Sequence, residues 1–185
     1  DDELISLLKE NQVIYAPTLA VYEPRSPKNA NSGSPLQMIE YRQHVSRYNL
    51  QQLAQAGIPV ALGTDSGIAG TQFGEASLRE LELLVDFGLS PQQAIIAGTA
   101  NSATVLGLQH DRGTIQTGKR ADFVLVRGQP WQQISDYRKT ESIFVDGKLV
   151  AQHGKLVAPQ GKPLPPAKTA LELIDDFERA DGLTA

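Results

Sequence analysis

The sequence predicts an α/β first half, built on parallel strands covered by helices, followed by an all-β second half. Two observations carry this prediction. Val13 to Leu19 (VIYAPTL) and Ile58 to Leu62 are short, continuously apolar runs, each followed at a distance by a stretch of helical periodicity, as expected of strands buried on both faces. From Gly113 onward the texture changes to apolar alternation broken by tight-turn signals, above all Asp146-Gly147. With 185 residues, 41% of them hydrophobic, the chain is long enough for one domain of respectable core, or one and a piece of another.

Taken in order, Leu4, Ile5, Leu7 and Leu8 fall on one side of a short N-terminal helix. Asp1, Asp2 and Glu3 suit the positive end of its dipole. The strand Val13 to Leu19 follows, and Pro17 marks where its ladder pairing stops. Residues 22–35 (YEPRSPKNANSGSP) are a long loop rich in Pro, Ser and Asn, either a binding loop or a connector. Met38, Tyr41, Val45, Tyr48 and Leu53 predict a helix over about 36–56, closed by Gly57. After the strand at 58–62 and the glycine-punctuated loop IAGTQFG, an amphipathic helix runs over EASLRELELLVDFG and ends at Gly88. Ser90, Pro91 and Gln93 form an N-cap, a first-turn proline and a capping-box partner for a short helix. Thr99 is expected to cap a second short helix reaching Leu106, and Gly107 ends the helical half. In the β half, Thr117-Gly118-Lys119 and Asp146-Gly147 are turns. Residues 160–168 (QGKPLPPAK) read as a Pro-rich linker.

Composition excludes several function classes. The net charge of −4, from 17 basic and 21 acidic residues without blocks, leaves no electrostatic footprint for nucleic acid and no polybasic patch for a membrane. No apolar run approaches the roughly 20 residues that span a bilayer. The absence of cysteine excludes disulfides and thiolate metal sites, and leaves cytoplasm and periplasm equally open. The acidic, amphipathic start is unlike a signal peptide. It is expected to be a mature end or a cut inside a longer protein.

The chemistry-bearing stretch is GIPVALGTDSG, residues 57–67, in which an apolar strand ends on an acid, Asp65. A charge at the end of a buried strand needs a partner. Asp65 either caps the following turn, as Asp after Gly-Thr commonly does, or is aimed into a site. In α/β folds, loops after the C-terminal ends of parallel strands build the site, and both the 22–35 loop and Asp65 lie at such ends.

The order PTL, GIPVALGTDSG, LRELELLVDFGLSPQQAIIAGTANSATVLGL, DRGTIQTGKRADFVLV and SIFVDGKLV resembles the C-terminal part of the metal-dependent amidohydrolase superfamily, nearest its imidazolonepropionase-like and Xaa-Pro dipeptidase-like branch. The resemblance covers about residues 1–157 and rests on five blocks in the family's order. It implies that residues 1–107 are the last two strands and helices of a (β/α)8 barrel, that 108–158 are part of a small β-sandwich, and that 159–185 are a linker and the start of a further module. LIDDFERADGLTA resembles the opening of a galactose-binding-like jelly roll.

By the same resemblance, Asp65 matches the eighth-strand aspartate, which binds metal and takes the proton from the attacking water, while Ser66 and Gly67 shape the substrate pocket. The implied cofactor is one or two divalent ions, zinc above all. The implied substrate is a small amide, cyclic amide or dipeptide. The family's His-x-His, its bridging residue and its later histidines have no counterpart here. His44, His110 and His153 occupy a helix, a turn and a hairpin end, where surface or structural roles suit them better than ligation.

One carboxylate does not hold a catalytic zinc, which takes three protein ligands. The chain alone is therefore expected to be inactive, to bind no zinc tightly, and to have the rest of the same enzyme, or further copies of itself, as its partner. Two rival readings are weaker. A non-catalytic β assembly module leaves the Gly-Thr-Asp stretch unexplained. A phosphotransfer domain wants a second acid and a later Lys or Ser/Thr near the strand ends.

Overall fold

The computed structural model describes residues 2–23, 36–67 and 71–157. The expected loop at 22–35 is thus described only at Tyr22 and Glu23, and the linker and further module at 159–185 lie outside the described residues. The chain runs α1 (Asp2–Glu10), α2 (Leu36–Gln55), α3 (Glu75–Asp86), α4 (Pro91–Ile96), α5 (Ser102–Val105), β1 (Phe123–Val126), β2 (Thr140–Val145), β3 (Lys148–Gln152) and β4 (Lys155–Leu156).

The two apolar runs do meet in parallel, though only through a single bridge between Tyr15 and Val60. Tyr15 N–H donates to Pro59 O and Ala61 N–H to Tyr15 O, each at 2.9 Å. The full strand expected over Val13–Leu19 is corrected: the chain leaves the ladder at Pro17, which has no N–H to contribute, and Leu19–Tyr22 tightens into a 3₁₀ turn. The other edge of the Tyr15 segment, at Ile14 and Ala16, makes no backbone hydrogen bond among the described residues. It is an open parallel edge.

The helices form where the apolar spacing places them. Gly57 closes α2 with φ +80°, a backbone state that a residue with a Cβ resists. The Ser90 capping box is complete: Gln93 N–H donates to Ser90 Oγ (3.2 Å) and Ser90 N–H to Gln93 Oε1 (2.8 Å). A second short helix capped by Thr99 is not formed. Instead α4 runs into α5 through a widened π turn, Ala97–Asn101, and Thr99 Oγ1 donates to Ile95 O inside the helix (2.7 Å).

Leu50, Val60, Leu84, Phe87 and Leu89 anchor the core between α2, α3 and the bridged segments, and Ile134 reaches it from the second half. An ion cluster adds a second tie between the halves. Arg138 pairs with Glu75 (2.7 Å) and Glu82 (2.5 Å) on α3, while Arg79 pairs with Glu82 (3.1 Å) and Glu23 (2.6 Å). In contrast, α1 buries none of its residues, and Leu4 and Leu7 stand about half exposed.

The β half is a four-stranded antiparallel meander in the order β1-β2-β3-β4. Asp146 and Gly147 both adopt positive φ (+55° and +72°), the geometry of a two-residue hairpin turn that matches strand twist. The register pairs Phe123 with Phe144, whose rings stack at 4.6 Å, and Phe144 with Leu149.

Candidate active site

The two bridged segments bring their C-terminal ends together. Gly63 lies so close to the other segment that a Cβ there would sit 3.2 Å from Pro17 O and 3.5 Å from Thr18 Cγ2. A bare backbone is what lets the two strand ends touch. Past this contact Asp65 turns into the left-handed region (φ +48°), which Asp tolerates better than most residues.

Asp65 is exposed. Its side chain makes no hydrogen bond or ion pair to another described residue. Its backbone carbonyl accepts from Thr71 Oγ1 at 3.5 Å, and Gly67 N–H donates to Thr71 O at 3.1 Å, so the loop folds back on itself just beyond the acid. Ser66 Oγ donates to Thr64 Oγ1 (2.8 Å), which fixes the hydroxyl beside Asp65. Gly67 faces the Phe73 ring: a Cβ would lie 2.9 Å from Phe73 Cζ. Phe73 as a residue is 82% exposed. The structure therefore gathers Asp65, Ser66 and Gly67 in one short loop at the strand end, with an aromatic ring over the last of them.

The three histidines do not join this loop. His44 (α2), His110 (a turn) and His153 (the β3–β4 turn) are all exposed and sit in separate elements. Among the described residues no three His, Cys, Asp or Glu side chains converge as a metal site would require.

Two supports escaped the sequence reading. The first is Glu80, on the inner face of α3 with Ala76, Leu83 and Leu84. It is wholly buried, and it accepts from the N–H groups of Leu19 and Ala20 at 2.8 Å each. Burial away from water drives its pKa up to about 7, outweighing the two amide hydrogen bonds that favour the charged form. An acid in the middle of an apolar helical stripe was the available signal. Tyr15, beside it, is likewise held above its usual pKa, first by burial and then by the negative charge of Glu80.

The second support is the π turn, whose widening presents Ala97 O, Asn101 and Ser102 to the free edge of the Val60 segment. Leu62 N–H donates to Ala97 O (3.1 Å), and Asn101 Nδ2 donates to Val60 O (2.8 Å). Neither contact is visible in a helical periodicity. Asn101→Ala leaves a buried strand carbonyl without its donor and is expected to cost about 1–2 kcal/mol, read as a shift of the urea midpoint at unchanged slope.

Comparison with known proteins places this geometry. A sequence model of the amidohydrolase family matches residues 10–150. The chain is 39% identical over 90 residues to an imidazolonepropionase of Deinococcus radiodurans, covering 46% of this chain and 21% of that protein. It is 29% identical over 150 residues to an ochratoxinase of Aspergillus niger, covering 77% of this chain and 30% of that protein. The crystal structure of a Xaa-Pro dipeptidase with methionine bound in its active site is similar with a TM-score of 0.65 at 27% identity, over 80% of this chain and 37% of that one. The chain thus spans less than a third of the length of these two curated relatives. Its fold is a partial α/β arrangement with flanking helices and a small open sheet, a truncated (β/α)8-type fold. With the family match extending over most of its length, the chain belongs to the amidohydrolase family.

Proposed function

We propose that this chain supplies the last two strands of the barrel of a metal-dependent hydrolase that cleaves carbon–nitrogen bonds, with Asp65 as metal ligand and proton acceptor. The observation that carries the reading is the placement of Asp65: an exposed carboxylate without a described partner, just past the C-terminal end of a strand segment paired in parallel. A capping carboxylate would instead be spent on a nearby N–H. The family match and the Xaa-Pro dipeptidase likeness support cleavage of an amide or peptide-like bond. Imidazolonepropionase relatives support a cyclic amide as the alternative substrate shape.

Asp65 fits one position of a zinc or other divalent centre, since an unpaired carboxylate oxygen is a suitable ligand. The described residues do not complete one. The remaining ligands belong, on this reading, to the rest of the enzyme, which is the chain's partner. The open edge at Ile14 and Ala16 and the face of α1 that carries the half-exposed Leu7 are where the barrel would continue. Residues 1–107 then form the barrel part and 108–158 the sandwich part.

A divalent metal bound here would lower the pKa of a water molecule towards neutrality. Asp65 accepts a proton at its carboxylate oxygen and holds it within reach of a leaving nitrogen. Ser66, its hydroxyl proton committed to Thr64, offers the pocket an acceptor, and Gly67 leaves room beside the Phe73 ring.

Calorimetric titration of zinc into the 185-residue chain is expected to show no stoichiometric tight binding, and the same chain is expected to hydrolyse no dipeptide. A tightly held zinc with turnover by this chain alone would overturn the proposed division of ligands.

A further inference from the structure

Glu80 is wholly buried, yet no cation lies within ion-pair distance of it among the described residues. The guanidinium of its neighbour Arg79 is directed to Glu23, Glu82 and Asp86. A buried acid without a counter-ion is a poor device for stability, and an apolar side chain would serve the inner face of α3 better. What the carboxylate achieves is geometric. Its two oxygens hold two successive amides, Leu19 and Ala20, at the start of the 3₁₀ turn. That turn follows Pro17 and Thr18, whose atoms touch Gly63. The helix bearing Glu80 follows the Asp65 loop. Glu80 therefore links the two strand-end segments from behind.

We propose that Glu80 is a positioning residue for the site around Asp65, and that its protonation is a pH switch: ionised it clamps both amides, protonated it holds one of them only weakly. On protonation one oxygen becomes an O–H group and a much weaker acceptor, so one of the two amide contacts at Leu19–Ala20 weakens. The idea rests on the reading of Asp65 as the acid of the site, but the clamp itself uses none of the chemistry of Asp65.

The charged groups around Glu80 set the range. Glu23, at the end of the 3₁₀ turn, repels its charge, and Arg79 favours it; Tyr15 on the strand feels that charge, and Arg42 of α2 stands over the Tyr22 ring of the turn. The α4 helix brings no charge, and Arg138 is engaged by Glu75 and Glu82. Burial places the titration near neutrality, where a modest change of pH alters the population.

The test is an NMR titration of the full chain, ¹⁵N-labelled at leucine and alanine, from pH 5 to 9. The amide protons of Leu19 and Ala20 are expected to move together, with one midpoint well above the usual carboxylate range. Glu80→Gln should flatten both curves, and Glu23→Gln should lower the midpoint. Flat wild-type curves, or curves that survive Glu80→Gln, overturn the proposal. Should Glu80→Gln fail to fold, the Glu23→Gln midpoint decides, and an unmoved midpoint overturns it.

In the full-length enzyme, Glu80→Gln is expected to remove one limb of the pH profile of kcat/KM at unchanged metal content. An unaltered profile overturns the positioning role. Failure of the Asp65 reading shows itself separately, as full activity of the Asp65→Asn enzyme.

Discussion

Asp65→Asn, made in the full-length enzyme, is expected to lower kcat/KM by roughly 10²–10⁴-fold, the range for losing a positioned general base. The fold should not change. Asparagine has the same shape and tolerates the left-handed φ of +48° as well as aspartate does. The carboxylate is exposed and makes no hydrogen bond or ion pair with another described residue, so its loss should shift stability by no more than about 0.5 kcal/mol. Activity lost at an unchanged melting temperature would mark a chemical role. Full activity with full metal content would mark Asp65 as a turn residue and sink the proposed site. Asp65→Ala is the less informative variant, because it adds backbone strain to the chemical loss.

The second large effect concerns stability and pH. The folded chain holds the Glu80 proton more tightly than the unfolded chain, with a pKa raised from 4.5 to about 7. Folding therefore takes up a proton between those values. The contribution of this group is fully present below about pH 4.5, and it declines as pH rises through 7. The whole effect is on the order of 3 kcal/mol. Glu82 works in the opposite direction, since Arg138 and Arg79 hold its carboxyl below the usual range, so its support is lost as pH falls.

The two are separated by comparing wild type with Glu80→Gln in urea at pH 5 and pH 8. Wild type should lose stability between these values relative to the variant. Parallel pH dependences in the two proteins would show that Glu80 does not carry the proton. At pH 5 Glu80→Gln should be the less stable of the two, because its amide nitrogen is a donor without acceptor capacity and faces a backbone N–H.

Much of the local structure was legible in the sequence because the signals are local. The Ser90 capping box, the Gly57 helix end and the Asp146-Gly147 hairpin are each decided by residues within four positions of one another, and each formed as read. The apolar runs at 13–19 and 58–62 pair in parallel, but their expected length did not survive. A strand's extent depends on the neighbours that satisfy its N–H and C=O groups, and here only one side of each segment meets the other. Thr99 was misplaced for a related reason. Its hydroxyl could cap a helix start or bond back into the preceding turn, and the need to present Ala97 O to Leu62 selected the widened, continuous helix.

The sequence by itself determined the class of the fold, the positions of the caps and turns, and the placement of an acid, Asp65, at the end of an apolar strand segment. Those features follow from side-chain spacing and backbone preference. Only the tertiary structure decided that Gly63 touches Pro17 and Thr18 so that two strand ends form one surface, and that Glu80 reaches across some sixty positions of sequence to hold Leu19 and Ala20. A carboxylate in a helix shows its type and its face in the sequence. Which amides it holds, and how far burial moves its proton affinity, depend on what the rest of the chain packs around it.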